Sequence, residues 1–200
     1  MANHEHGQQI LKEDLLAVAT LRSKDGVRYL QLDPKSVGYV VNPESVADVP
    51  DGTRLFLQYK SFRADDKPSF CTESVWVDWV SPLDVGEVAA SPVGKGDPVD
   101  IVTDWITSLE DGFLTLHYVI RGSGKEKHGF TLCATDDPTK FVLVHDAKGE
   151  TEGSPTDGIV CFPVDGLLPD TGGSTVTLSL TYLNLDNTLT TLTVDYRTIP

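Results

Sequence analysis

The stretch "GDPVDIVTDWITSLEDGFLTLHYVI", residues 96–120, decides the fold class. Ile101, Trp105 and Leu109 recur every four residues, as on one helix face. They also share one side of a strand that closes at Glu110-Asp111-Gly112. Composition separates the two readings. Ile101, Val102, Thr103, Ile106 and Thr107 are β-branched, stiff at χ1 and poor helix formers. Asp97-Pro98 would open a helix, but only "DGF" would end it, and that is also the turn a hairpin needs. The segment is shorter than an isolated helix requires. It reads as a hairpin, 102–109 against 113–120, with Trp105 in the core of a β domain.

Outward from it, alternation with period two dominates. Upstream, "LLAVATL" and "VRYLQLD" flank "SKDG", whose Asp-Gly takes the positive φ of a tight hairpin. "VGYVV", "GTRLFLQYKSF" and "FCTESVWVDWV" complete five strands. Pro82, Pro92 and Pro98 with three glycines then interrupt any regular element, so a linker is expected. Downstream come "FLTLHYVI", "GFTLCA", "KFVLVHD", "GIVCFPV", "STVTLSLTYL" and "TLTTLTVDY", the last two joined at "NLDNT". Val176, Leu178, Leu180 and Tyr182 mark a buried face opposite a wet one of Thr and Ser, as in an antiparallel sheet. The fold class is all-β. A five-stranded barrel over 14–82 precedes a linker over 83–97 and an antiparallel β-sandwich over 98–200. Residues 1–13 read as a tether.

Charge narrows the partners. Sixteen basic against 30 acidic residues leave a net charge of −14, which argues against binding through phosphates or to anionic lipid. No apolar run is long enough to span a membrane, and the start lacks the pattern of a signal peptide. "ANH" would chelate copper or nickel through His4 only if Met1 were removed from a native terminus.

Catalytic signatures are absent from the pattern. "GSG" at 122–124 lacks the Gly-x-Ser-x-Gly elbow, so Ser123 is read as a loop residue. His117 and His145 lie in strands without a second histidine or a Cys-x-x-Cys at zinc spacing. "DAKGETEGSPTDG", 146–158, has oxygen ligands without calcium-loop spacing and reads as a solvated acidic loop. Neither a metal nor a cofactor is expected. Cys71, Cys133 and Cys161 are buried hydrophobes, or Cys133 and Cys161 form a disulfide. In the first module Tyr29, Tyr39, Phe56, Tyr59, Phe62, Trp76 and Trp79 are expected to fill the barrel, with Arg22, Lys24, Arg28, Lys60 and Arg63 nearby. Trp76 and Trp79, three apart, are placed on opposite sides of their strand.

The order of modules, "VWVDWVSPLDV" closing the first, and Asp97-Pro98 with Trp105 opening the second resemble the NigD-like family of exported Bacteroidetes proteins. The closing "VTLSLTYLNLDNTLTTLTVDY" is also similar to the family's end. The resemblance implies an OB-like barrel, a β-sandwich and a secreted or outer-membrane lipoprotein location. The family's lipid-bearing cysteine is not in these residues, so anchoring would belong to the parent protein. The expected function is a non-enzymatic binding or accessory protein of the cell envelope, its partner a protein or glycan. The alternatives are a carbohydrate-active or hydrolytic factor using acids of the second module, and single-stranded nucleic-acid binding by the barrel.

Overall fold

The structure is a computed structural model that describes residues 13–94 and 96–198. The expected tether, apart from Glu13, and the His4 chelate lie outside the described residues. The chain divides into two compact units, Met1–Leu83 and Asp84–Pro200.

The first unit is a closed barrel of β1 (Leu15–Lys24), β2 (Val27–Asp33), β3 (Ser36–Val40), β4 (Arg54–Phe62) and β5 (Glu73–Pro82), ordered β1-β2-β3-β5-β4. The closed five-stranded barrel is the OB-like module expected. The Asp25-Gly26 turn between β1 and β2 has positive φ at both residues, 52° and 77°. Every second side chain turns inward, and the interior is aliphatic: Ala19, Leu21, Leu30, Leu55, Leu57, Val75 and Val77 are buried. The expectation of an aromatic interior is corrected here. Only Phe62 among the seven named aromatics is fully buried, because branched aliphatics from five strands already fill so narrow a barrel. A short 3-10 turn, Pro43–Val46, places Val46 against this core. Asn42, buried beside it, donates from Nδ2 to the Val77 carbonyl at 2.8 Å, and its Oδ1 accepts from the Val77 N–H at 2.9 Å. One amide side chain thereby satisfies two backbone groups that the barrel would otherwise leave buried and unpaired.

The second unit is a sandwich. One sheet runs β6 (Asp84–Val85), β13 (Pro155–Pro163), β10 (Phe113–Arg121), β8 (Asp100–Val102), with β9 (Ser108–Glu110) also on β10. The other runs β15 (Leu189–Tyr196), β14 (Val176–Leu183), β12 (Lys140–Asp146), β11 (Gly129–Ala134), β7 (Glu87–Ala89). Leu116, Leu132, Leu143, Val160, Phe162 and Leu180 form the layer between them. Antiparallel pairs dominate, but β6 with β13, β7 with β11, and β12 with β14 are parallel. Where a linker was expected over 83–97, residues 84–89 supply an edge strand to each sheet, crossing at Gly86. Prolines are kept out of these two strands, so backbone pairing decides the structure there.

Residues 96–120 form no helix, their regular elements are all strands, and Asp111-Gly112 turns with φ of 51° and 79°. The strand is broken, however. β8 and β9 each pair with β10, and residues 103–107 loop away between them. Trp105 is 56% exposed instead of buried. Ile106 is the residue that turns inward, since Asp104 Oδ1 accepts its N–H at 3.0 Å and fixes the loop.

Candidate functional site

Two regions present chemistry beyond packing. The first is the outer face of β1, β4 and β5. Gln58 pairs with Trp79 and Tyr59 with Val77, so Asp78 is an extra residue, a β-bulge. The bulge shifts the alternation by one, and Trp76 and Trp79 both point outward, 47% and 41% exposed. The expectation that they face opposite sides is corrected by that single residue. Trp79 packs on Phe56 with ring centroids 5.5 Å apart, and Leu16, half exposed, lies one strand over, its backbone in register with Gln58. Lys60, in register with Trp76, is held by Asp14 at 2.7 Å and Asp78 at 2.8 Å. Those two carboxylates, Asp14 first, hold its ammonium above the usual lysine range. The face is a pair of tryptophans around an internally neutralised charge.

Arg28 and Lys24, two of the other basic side chains named from sequence, are engaged elsewhere. Arg28 is bound to Asp51 at 3.1 Å and donates to the Val46 carbonyl at 2.7 Å and to that of Val49. Lys24 sits over Phe70, which meets Tyr29 edge to face.

The second region is a set of histidines in the sandwich. His117, on the outer side of β10, lies between two carboxylates. Its Nδ1 is 2.8 Å from Asp104 Oδ2 and its Nε2 is 2.9 Å from Asp157 Oδ2. Ionised carboxylates can only accept, so this geometry suits the imidazolium, which carries a proton on both ring nitrogens. Burial disfavours that charge, but Asp157 and Asp104 together outweigh it and hold the His117 pKa above the ordinary value. His117 in turn depresses Asp157 and, against burial, Asp104. The backbone N–H of His117 donates to Thr107 Oγ1 at 3.1 Å, and that hydroxyl donates to the Val102 carbonyl at 2.6 Å. The 103–107 loop and its exposed Trp105 are clamped onto β10 by this group.

His128 and His145 form a different pair, their rings stacked and their Nδ1 and Nε2 2.8 Å apart. The Pro98 carbonyl, 2.9 Å from His145 Nδ1, can only accept, so His145 carries a proton there, and burial favours the neutral ring whose Nε2 is an acceptor. Its Nε2 then accepts from His128 Nδ1. Burial foremost holds the His145 pKa below the ordinary value. His128 Nε2 faces Glu150 at 3.6 Å, and Glu150 is also bound by Ser123 through Oγ and backbone N–H. Three acids of the 146–158 segment are thus committed: Asp146 to Lys148, Glu150 to Ser123, Asp157 to His117. Among the described residues no group of three or more histidine, cysteine or acidic side chains is arranged to hold a metal ion. Cys133 and Cys161, offered as a disulfide, are buried thiols in different sheets. Each sits at a sheet position with its own backbone partners, and no bridge joins them.

Residues 82–196, more than half of the chain, match the family model described as the NigD-like C-terminal beta sandwich domain. The chain belongs to the NigD-like family. Solved structures agree over both units. A protein of unknown function from Bacteroides vulgatus is 19% identical with a TM-score of 0.73, covering 93% of this chain and 92% of that one. A NigD-like immunity protein from Bacteroides caccae is 19% identical with a TM-score of 0.65, covering 92% and 97%. A candidate lipoprotein from Bacteroides fragilis is 12% identical with a TM-score of 0.62, covering 94% and 100%. At such identities these likenesses show the fold alone. Among curated proteins, none matches the chain.

Neither histidine group of this NigD-like chain was legible beforehand. Partners 13, 17 and 40 residues apart meet only through sheet register and loop closure. The one available signal was the density of acids around 146–158.

Proposed function

We propose that this NigD-like protein is a non-catalytic, envelope-associated binding protein that engages a protein partner through the outer aromatic face of its barrel. The observation that carries the reading is the exposure of both Trp76 and Trp79 on the outside of one strand, set by the bulge at Asp78. Tryptophan is the residue most enriched at interface hot spots, and an exposed aromatic patch rimmed by polar groups marks an interaction site. The barrel interior is packed with aliphatics, so binding takes place on the outside. The solved relative described as an immunity protein favours a protein partner, and the one described as a candidate lipoprotein favours the envelope. The engagement of Lys60 and Arg28 by carboxylates and carbonyls weighs against nucleic acid on this module. In the second module Asp104 and Asp157 are joined through His117, which weighs against an open pair of acids for hydrolysis.

The test is a photo-crosslinking residue at Gln58, in register with both Leu16 and Trp79, introduced in the native host and followed by identification of the adduct. One dominant protein adduct is expected. Its purified complex should lose at least about 100-fold in affinity on the double substitution Trp76→Ala/Trp79→Ala, since truncating a hot-spot tryptophan costs about 2 kcal/mol or more. An adduct indifferent to both tryptophans would overturn the reading.

A further inference from the structure

Within the sandwich unit, a cleft of about 450 Å³ opens from the space between the two sheets. Its size falls within the range of small-ligand sites. Its inner wall is apolar and aromatic: Tyr118 and Ile120 from β10, Phe130 from β11 and Val160 from β13. The Tyr118 ring packs against Phe130 with centroids 4.4 Å apart. The absence of a side chain at Gly158 on the neighbouring strand lets it lie there, because a Cβ at that position would overlap the phenol. The β6–Gly86–β7 crossing forms one side of the opening.

The mouth is charged. Asp84 is neutralised by Lys127 at 2.9 Å and Asp146 by Lys148 at 3.1 Å. Glu87 and Glu126 also line the cleft, and neither has an ion-pair or hydrogen-bond partner among the described residues. The same holds for the hydrogen bonding of the Tyr118 hydroxyl. The cleft therefore combines an aromatic face, an unfilled phenolic oxygen and two uncommitted carboxylates. A cation on an apolar stem satisfies all three, since the stem covers the wall, the charge meets the carboxylates, and the ring face attracts it. Both glutamates are exposed at the rim, and a neutral ligand would leave their charge unmatched.

We infer that this cleft is a binding site for an organic cation, an amine or guanidine carried on an aliphatic chain. The source is either a free polyamine or a lysine or arginine side chain of a peptide. The cleft shares no residue with the barrel face and stands or falls independently of it.

Isothermal titration of the full chain with spermidine, with a blocked tripeptide carrying one lysine, and with its N-acetyl-lysine counterpart tests the inference. Saturable binding of spermidine, of the lysine peptide, or of both is expected, and which of them binds identifies the source. The acetylated peptide should not bind. Affinity should fall at least tenfold in the double substitution Glu87→Gln/Glu126→Gln and be unchanged in Trp76→Ala/Trp79→Ala. A control pair in the other unit, Asp65→Asn/Asp66→Asn, removes the same charge without altering any residue that lines the cleft. No saturable binding, equal losses in the glutamate and aspartate variants, or equal binding of the acetylated peptide would each overturn the inference. Thermal melts establish that the rim variants remain folded.

Discussion

Replacing His117 by Gln removes a charge held in two directions, and the effect should depend on pH with a definite sign. The bond to Asp104 is partly shielded from solvent, and a charge-assisted hydrogen bond of that kind contributes about 1.5 kcal/mol. Asp157 is 70% exposed, so its pair is discounted to about 0.5 kcal/mol. Together they give about 2 kcal/mol, or roughly 8 °C in the melting of a unit of this size. The folded pKa of His117 is raised, so its contribution is fully present below the unfolded value near 6.5 and is lost as pH rises through the folded pKa. Asp104 and Asp157 are depressed, so theirs is present above the unfolded carboxylate value and is lost as pH falls through their folded values. The clamp is therefore strongest in mildly acid solution. Urea unfolding of the wild type and His117→Gln at pH 5.5 and pH 9 checks this, with Trp105 fluorescence reporting the loop. The difference between the two proteins should be about 2 kcal/mol at pH 5.5 and shrink by more than half at pH 9. An equal difference at both pH values, or a His117 ring that titrates below 6.5 by NMR, would refute the reasoning.

Three further outcomes follow from packing. Leu116→Ala, at a position wholly buried between the sheets, should destabilise the sandwich by about 3 kcal/mol or more, read from chemical denaturation. Gly158→Ala should cost about 1–3 kcal/mol because the new methyl must displace Tyr118, and adding Tyr118→Ala should return part of that loss. Without reductant, the native protein should leave all three cysteines unreactive to a thiol reagent, and the unfolded protein should react three times; fewer thiols would reveal a disulfide.

How far the chain could be read varies by element. The β-branched run at 101–107 excluded a helix, and the Asp-Gly pairs at 25–26 and 111–112 fixed two hairpin turns, because both signals are local. The buried side of Val176, Leu178, Leu180 and Tyr182 followed from period two alone: Leu178, Leu180 and Tyr182 are buried and Val176 packs against them. Errors arose where one residue changes the count. The bulge at Asp78 moved Trp79 to the outside, and Asp104, by turning the loop, exchanged Trp105 for Ile106.

What the sequence by itself determined is the all-β class, the two modules and most strand positions, since these rest on alternation, β-branching and turn residues within a few positions of one another. Tertiary structure alone decided the Asp104–His117–Asp157 clamp, the His128–His145 pair, the paired tryptophans and the sandwich cleft. Each depends on strand register, and a shift of one residue turns a side chain to the opposite face. No pattern along the chain encodes which residue lies opposite which.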